Sequence, residues 1–173
     1  MIAAWSAENV EVKLRVEALE PIAVRLRALG ARDHGRIRQI DTYFWTPAPG
    51  TRLKLRAQQP GASELIAYSR PDRTALRASR YRICPVPDTA ALEEALGQAL
   101  GVTARVVKSR HLFLVGRTRI QLDRVEGLGS FVELEVVLGP GEAEEVGARE
   151  GERLLAALGI AAAPRIAGSY ADL

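Results

Sequence analysis

The segment Glu8-Asn-Val-Glu-Val-Lys-Leu-Arg-Val-Glu17 alternates apolar and polar side chains over most of its length. Its valines and its leucine fall on one parity, while the other parity carries Asn9, Glu11, Lys13 and Arg15. A period of two predicts a β-strand with one apolar face and one polar face. For a single strand, the commoner arrangement is a sheet surface whose polar face meets water.

The same alternation returns in most of the other strand-like segments, and this recurrence favours a different arrangement. The charged or amide side chains that share one parity are Arg52, Lys54 and Arg56; Lys108 and Arg110; Arg119, Gln121 and Asp123; and Glu133 and Glu135. The chain has 21 arginines but only three lysines, and each lysine lies on the polar face of such a segment. We therefore predict a sheet that curls its charged face inward around a polar ligand.

Eight strand-like segments are separated by turns and by three helical segments. The predicted strands span residues 8–17, 37–45, 51–58, 64–70, 79–83, 105–115, 118–126 and 131–138. The predicted helices run from Pro21 to Leu29, from an N-cap at Asp88 to about Ala99, and from about Glu142 to Leu158. Hairpins with helices between them indicate the α+β class, and eight strands can close a barrel around a small ligand. We predict one domain over residues 1–173, an eight-stranded antiparallel β-barrel, closed or nearly closed, with helices packed on the outside of its tunnel.

Composition and charge narrow the classes of protein and partner. The 173 residues are 47% hydrophobic, which is enough for one sizeable core, and the formal net charge is +3. Cys84 is the only cysteine, so no internal disulfide forms, which predicts a cytoplasmic protein. No apolar run approaches the roughly 20 residues of a membrane span, so no membrane partner is expected. The charged faces carry few aromatic residues on which bases could stack, so nucleic acid is not the expected partner, and a homodimer is compatible with the sequence.

The predicted inward face is mixed in charge, with cations in excess. The cationic residues assigned to substrate binding are Lys13, Arg52, Lys54, Arg56, Arg70, Arg80, Lys108, Arg110 and Arg119. Arginine forks and lysine ammonium groups both bind phosphate, so the predicted ligand is a compact polyphosphate. Glu11, Asp123, Glu133 and Glu135 share this face and would repel phosphate unless a cation lay between. Mg²⁺ and Mn²⁺ bind both carboxylate and phosphate oxygens, so these four residues are the predicted site for one of these ions.

At these positions the sequence resembles the CYTH domain, the fold of the triphosphate tunnel metalloenzymes. That family includes class IV adenylyl cyclases, thiamine triphosphatases and inorganic triphosphatases. Its N-terminal signature Glu-x-Glu-x-Lys stands here as Asn9-Val-Glu11-Val-Lys13. The resemblance continues in order through Gln39-Ile-Asp-Thr-Tyr43-Phe, Arg52-Leu-Lys54-Leu-Arg56, Val107-Lys108-Ser-Arg110, residues 122–135 and Ser169-Tyr170, so it covers nearly the whole chain.

The resemblance implies a tunnel open at both ends and a role for individual residues. Phosphates would be held by Lys13, Arg52, Lys54, Lys108, Arg110 and Arg119, and metal by Glu11, Glu133 and Glu135. Lys13 would work with a tyrosine, for which Tyr43 is the matching residue, to take a proton from the attacking water. Asn9 departs from the signature because it stands where the family has its first glutamate. It still offers a carbonyl oxygen, but the site loses one negative charge.

Three functions are compatible with such a tunnel. The first is metal-dependent hydrolysis of a triphosphate-containing substrate, namely inorganic triphosphate, a nucleoside triphosphate or thiamine triphosphate. The second is cyclisation of ATP to cyclic AMP and pyrophosphate, which requires the 3′ oxygen of the ribose to lie close to the α-phosphorus. The third is a noncatalytic module that binds polyphosphate or a nucleotide. Hydrolysis is the first prediction because no residue of the sequence identifies itself as a reader of adenine.

Overall fold

Eight antiparallel strands close into a barrel in the computed structural model, which describes residues 7–173. The strands are Ala7–Val16 (β1), Arg32–Phe44 (β2), Thr51–Gln59 (β3), Ser63–Ser69 (β4), Arg77–Val86 (β5), Val102–Val115 (β6), Thr118–Val125 (β7) and Gly129–Val137 (β8). Their order around the barrel is β1-β5-β4-β3-β2-β6-β7-β8, and β8 pairs again with β1. The predicted α+β class and the closed eight-stranded barrel are confirmed.

The first strand illustrates how the alternation of the sequence builds the barrel wall. Val10, Val12 and Leu14 are at most 1% exposed and belong to the apolar core outside the barrel. Glu11 and Lys13, on the other parity, line the cavity inside it. The charged face therefore points inward, as the recurrence of the pattern predicted.

Three helices cover the outer apolar surface, namely α1 (Glu20–Ala28), α2 (Thr89–Leu100) and α3 (Glu144–Ala157). Helix α1 buries Leu26 in the core that also contains β1 and β8. Helix α2 begins after the predicted N-cap Asp88, whose side chain accepts a hydrogen bond from the backbone N–H of Ala91 at 3.0 Å. Helix α3 packs so closely that a Cβ atom on Gly151 would come within 2.8 Å of Leu76. Within residues 7–173, no helix has the length and apolar character needed to cross a membrane.

Several strands extend beyond the residues that the alternation predicted, and β2 and β5 extend furthest. Strand β2 begins at Arg32 instead of residue 37, because its exposed polar start pairs with the end of β6 across an irregularity between Asp33 and Arg36. Strand β5 runs from Arg77 to Val86 instead of residues 79–83, because β1 and β4 pair with it on either side. Pairing with neighbouring strands sets these strand ends, and the alternation of apolar and polar residues gives no information about that pairing.

After α3 the chain returns to the first strand and continues along it. The backbone N–H of Arg15 donates to the carbonyl of Pro164 at 2.8 Å, and the N–H of Ile166 donates to the carbonyl of Lys13 at 2.9 Å. These contacts hold the segment after α3 against the end of β1.

A one-turn 3₁₀ helix, Tyr170–Asp172, follows and lies at one end of the barrel. We call this end, which is bounded by Arg52 and Asp172, the lower mouth. The opposite end, where Ile37, Gln58 and Ile83 line the cavity, is the upper mouth.

Candidate active site

The barrel encloses a cavity of about 270 Å³ that is lined by charges of both signs. Seven of its lining residues are cationic, namely Lys13, Lys54, Arg56, Arg70, Lys108, Arg110 and Arg119. Four are carboxylates, namely Glu11, Glu64, Glu133 and Glu135. All three lysines of the chain are in the first set, as the position of each on a polar face predicted. The excess of positive charge suits a polyanionic ligand.

Three of the carboxylates come together on one side of the cavity. Glu11, Glu133 and Glu135 each place one oxygen so that the three oxygens lie within 4.8 Å of one another. The register explains this meeting, because β1 and β8 pair Glu11 with Glu135 and Lys13 with Glu133. Burial raises the pKa of Glu11, Arg70 opposes the rise, and the charges of Glu133 and Glu135 add to it.

The carboxylate cluster has the donor chemistry of a divalent cation site. Carboxylate oxygens are the ligands that Mg²⁺ and Mn²⁺ prefer, and a bound cation would relieve the repulsion that raises the pKa of Glu11. Asn9 lies on the same face of β1, is 2% exposed, and its Oδ1 has no hydrogen-bond partner within residues 7–173. This oxygen remains available as a further neutral ligand, so the residues present fit a hard cation.

Two buried aspartates, Asp41 on β2 and Asp123 on β7, hold cations of the cavity. Asp41 accepts from Arg56 Nε at 2.7 Å and from Lys54 Nζ at 3.0 Å. Asp123 accepts from Arg110 Nε at 2.7 Å and from Arg110 Nη2 at 2.6 Å. Burial alone would raise the pKa of both aspartates, but the adjacent cations dominate and lower it, to about 2 for Asp123 and well below the ordinary value for Asp41.

Burial also changes the protonation of two cavity lysines. The pKa of Lys54 falls to about 8, because burial and then the charge of Arg56 disfavour its ammonium form more than Asp41 stabilises it. The pKa of Lys108 falls to about 7 for the same reasons, with Arg110 as the principal repelling charge. Near neutral pH these two side chains can therefore gain or lose a proton as a ligand binds.

Asp123 differs from its prediction as a metal ligand. It is fully buried, and its oxygens accept from Arg110 and from Tyr170 Oη, the latter at 2.9 Å. It also lies outside the group of carboxylates that meet within 4.8 Å among the described residues. Because Asp123 is the next inward position after Gln121 on β7, it lies one step deeper than the cluster and orients Arg110 instead.

Two residues of the predicted cationic set lie elsewhere. Arg80 is on the outer face, where its side chain is 60% exposed and pairs with Glu8 at 3.1 Å, so its predicted inward position is wrong. The register of β5 explains the error, because Ser79 and Tyr81 face the cavity and a shift of one residue reverses the face. Arg52 has the predicted parity but lies at the lower mouth.

Arg52 connects two segments at that mouth. Its guanidinium donates to Asp72 Oδ2 and to Asp172 Oδ2, both at 2.9 Å. The loop after β4 and the 3₁₀ helix are thereby held together beside the cavity.

Lys13 and Tyr43, the predicted partners, both line the cavity, but each contacts a different neighbour, and their joint action stays a prediction. Lys13 Nζ donates to Glu133 Oε1 at 3.0 Å and lies 4.2 Å from the centre of the Tyr170 ring. The ring of Tyr43 instead faces Lys54 at 5.5 Å. Burial raises the pKa of the Tyr43 hydroxyl well above 10, so this phenol stays protonated and acts as a donor.

Sequence reasoning missed several residues that shape the site. Arg77 is completely buried behind Glu11, with its Nη2 3.9 Å from a Glu11 oxygen. Arg77 precedes the strand that was predicted from residue 79, so the periodic pattern did not include it. Tyr170 was noted only as the end of a resemblance, although its ring contacts Lys13 and lies 5.0 Å from Lys108 Nζ.

The fold and the site together define a class, that of closed antiparallel barrels whose bore carries cationic side chains around a carboxylate cluster. A sequence model of the CYTH domain matches residues 7–170. The chain belongs to the CYTH domain family.

Individual relatives agree with this membership. The adenylate cyclase CyaB of Aeromonas hydrophila is 29% identical over 137 residues, which are 75% of this chain and 69% of that protein. The PH1012 protein of Pyrococcus horikoshii OT3 superimposes with a TM-score of 0.86 at 26% identity, covering 95% of this chain and 98% of its own. A putative adenylyl cyclase of Hippeastrum, described as having a dominant triphosphatase activity, superimposes with a TM-score of 0.57 at 18% identity, covering 93% and 91%.

Proposed function

We propose that the protein is a metal-dependent phosphohydrolase whose substrates carry a triphosphate. The observation that carries the proposal is the cavity itself, where seven cationic side chains surround a space beside three converging carboxylates. Cations of this number are far more than a neutral ligand needs, and their fixed positions suit the successive phosphates of a chain. A small-molecule triphosphate is therefore the proposed partner.

The proposed cofactor is Mg²⁺ or Mn²⁺, held by Glu11, Glu133 and Glu135, and the Asn9 Oδ1 is available as a further ligand. When bound, such an ion neutralises charge on phosphate oxygens and polarises the phosphorus they surround. The carboxylates cannot bind phosphate themselves, so the ion makes the acidic wall compatible with the substrate.

In the proposed reaction the protein supplies position and charge. Lys54, Arg56, Lys108 and Arg110 hold the phosphate oxygens, and their charges stabilise the transferring phosphoryl group. A water oxygen attacks the terminal phosphorus, the bond to the bridging oxygen breaks, and orthophosphate and the shortened phosphate chain leave. The water proton passes to a lysine.

Two lysines are candidates for accepting that proton. Lys13 adjoins the carboxylate cluster through its ion pair with Glu133 at 3.0 Å. Lys108, with a pKa of about 7, is neutral in about half of the free molecules at pH 7, and it can accept the proton only where substrate binding has not first protonated it. Arginine at either position would keep the charge and lose the ability to accept a proton, so single substitutions separate the two roles.

Cyclisation of ATP is the second candidate, and the relative named adenylate cyclase CyaB favours it. The two reactions share the phosphate site and differ in the attacking oxygen, which is water in one and the ribose 3′ oxygen in the other. The test is an assay that resolves products from tripolyphosphate, ATP and thiamine triphosphate with Mg²⁺ or Mn²⁺.

Each outcome of that assay has a distinct meaning. Orthophosphate release that requires the metal supports hydrolysis, whereas cyclic AMP with pyrophosphate supports cyclisation. Tight binding without turnover of any substrate would overturn both and leave a noncatalytic binding module.

A further inference from the structure

The upper mouth of the cavity differs in chemistry from the phosphate site below it. Aliphatic side chains line it on three strands, namely Ile37, Ile83 and Leu112. The amide side chains of Gln39 and Gln58 lie among them. An inorganic phosphate chain gains nothing from aliphatic walls, whereas a planar organic ring does.

Gln39 carries an oxygen acceptor that no group in the described part of the chain uses. The residue is 3% exposed, and its Oε1 has no hydrogen-bond partner among the described residues. A buried polar atom without a partner is costly, so this oxygen requires a donor from a ligand or from water.

A chain of hydrogen bonds fixes which end of the Gln39 amide faces the cavity. Gln58 Nε2 donates to the backbone carbonyl of Ala62 at 2.8 Å, and a carbonyl can only accept. Gln58 Oε1 is therefore the free end, and it accepts from Gln39 Nε2 at 2.9 Å. The Oε1 of Gln39 is left as an acceptor of fixed orientation.

The position of Gln39 relates this acceptor to the phosphate site. Gln39 pairs with Lys108 across β2 and β6, and it precedes Asp41, which holds Lys54, by two residues on the same face. Two residues of strand span roughly 7 Å, so Gln39 lies about that far from Asp41 toward the upper mouth, beside Lys108 at the edge of the phosphate site.

The other unpartnered amide oxygens lie nearer the acidic wall. Asn9 is on the strand that carries Glu11, and Gln121 pairs with Glu133 across β7 and β8. Gln39 on β2 is separated by β6 and β7 from β8, which carries Glu133 and Glu135, so a cation held by the carboxylates would not satisfy it.

The carboxylate of Glu64 adds a second reason to expect a donor at this mouth. Glu64 lines the cavity, and its backbone lies opposite that of Arg56 on β3. Its carboxylate forms no ion pair within residues 7–173. A negative charge here repels phosphate and attracts an N–H donor.

We propose that the triphosphate carries a planar heteroaromatic ring at the upper mouth, and that Gln39 Oε1 accepts a hydrogen bond from the amino group of that ring. Gln58 is the positioning residue that keeps the acceptor turned toward the ligand. This inference rests on the proposed triphosphate function and names the organic part of the substrate. Adenosine and the aminopyrimidine of thiamine share the required chemistry, an amino group on a planar ring.

The experiment measures equilibrium dissociation constants in EDTA, where turnover is prevented and binding is read directly. The first ligand pair is ATP and purine riboside triphosphate, which differ only in the amino group. The second pair is thiamine triphosphate and oxythiamine triphosphate, in which a carbonyl oxygen replaces the amino group. Each pair is measured with the wild type, Gln39→Leu, Gln58→Leu and the control Gln98→Leu, which lies on α2 outside the barrel.

For one pair, the wild type is expected to bind the amino ligand about tenfold more tightly, the effect of one hydrogen bond to a buried acceptor. Gln39→Leu should reduce this ratio to near one, Gln58→Leu should reduce it in part, and Gln98→Leu should match the wild type. The pair that shows the preference identifies the source of the ring. Because each ratio is taken within one protein, a general loss of stability cannot produce the result.

An equal affinity for both members of both pairs in the wild type would overturn the inference, as would a tenfold ratio that survives Gln39→Leu. If tripolyphosphate is still hydrolysed with metal in that case, the proposed function stands. If no triphosphate is turned over while the ratio behaves as expected, the proposed function fails and the ring site stands.

Discussion

Proton uptake on triphosphate binding is the sharpest consequence of the buried lysines. Lys108 has a pKa of about 7 in the free protein, so at pH 8 it is only about one-tenth protonated. A polyphosphate beside it restores the ammonium form, and binding should take up about 0.9 proton at this residue. At pH 6 the side chain is already about nine-tenths protonated, so the uptake there falls to about 0.1 proton.

Lys54 adds a smaller share. Its pKa of about 8 means that it is half protonated at pH 8, so it contributes about 0.5 proton there and almost none at pH 6. The sign is the same for both lysines, because burial disfavours the charge in the free protein and the ligand favours it. Affinity for the fully ionised ligand should therefore weaken as the pH rises above 7.

The assay is calorimetric titration of tripolyphosphate without metal, in buffers of different ionisation enthalpy, at pH 6 and pH 8. Protonation of the ligand itself contributes equally to every variant, so the difference between proteins is the informative quantity. Lys108→Met should lower the uptake at pH 8 by about 0.9 proton and leave pH 6 almost unchanged. Arg119→Met is the control, because it removes a cation of the cavity that does not titrate.

Wild-type proton uptake in Lys108→Met at pH 8 would refute the reasoning. It would mean that Lys108 is already charged in the free cavity, and that Asp41 and Asp123 outweigh its burial.

The remaining predictions concern the metal, the base and the lower mouth. Glu135→Gln should weaken metal activation at least tenfold, with a control titration of tripolyphosphate binding in EDTA; unchanged activation would exclude this carboxylate from the metal site. Lys13→Arg and Lys108→Arg should keep substrate affinity, but the variant that replaces the base should lose most of its single-turnover rate. A wild-type rate in both variants would exclude a lysine base. Tyr170→Phe removes the 2.9 Å bond to Asp123 and should lower the free energy of unfolding by about 1.5–3 kcal/mol in urea titration; no change would indicate that Arg110 alone satisfies Asp123.

Much of the barrel could be predicted because its wall has the simplest periodicity a chain can carry. The inward position of Glu11 and Lys13 followed from parity alone, and so did that of Glu133 and Glu135. Alternation predicts the face of a residue only where the strand and its register are known, however, and the predicted face of Arg80 was wrong. The few alternating residues around Arg80 do not reveal which neighbour fixes the register, and pairing with Glu8 decided the face.

Contacts between distant segments could not be predicted from local pattern. The ring beside Lys13 belongs to Tyr170, and no periodicity relates the first strand to a 3₁₀ turn near residue 170. The role of Asp123 was hidden for a related reason. A carboxylate on an inward face can bind a metal or a neighbouring guanidinium, and only the depth along β7 decides for Arg110.

The position of β1 between β5 and β8 has a consequence for the order of assembly. Lys13 and Glu133 meet across 120 residues, so the seam that completes the barrel also completes the carboxylate cluster. During synthesis β1 emerges before the other seven strands. It can pair with β5 but not with β8 until β8 has also been made. Contacts of such long sequence separation form slowly. The proposed cation site at Glu11, Glu133 and Glu135 would therefore form only when this seam closes, and a metal bound there would stabilise the closed barrel.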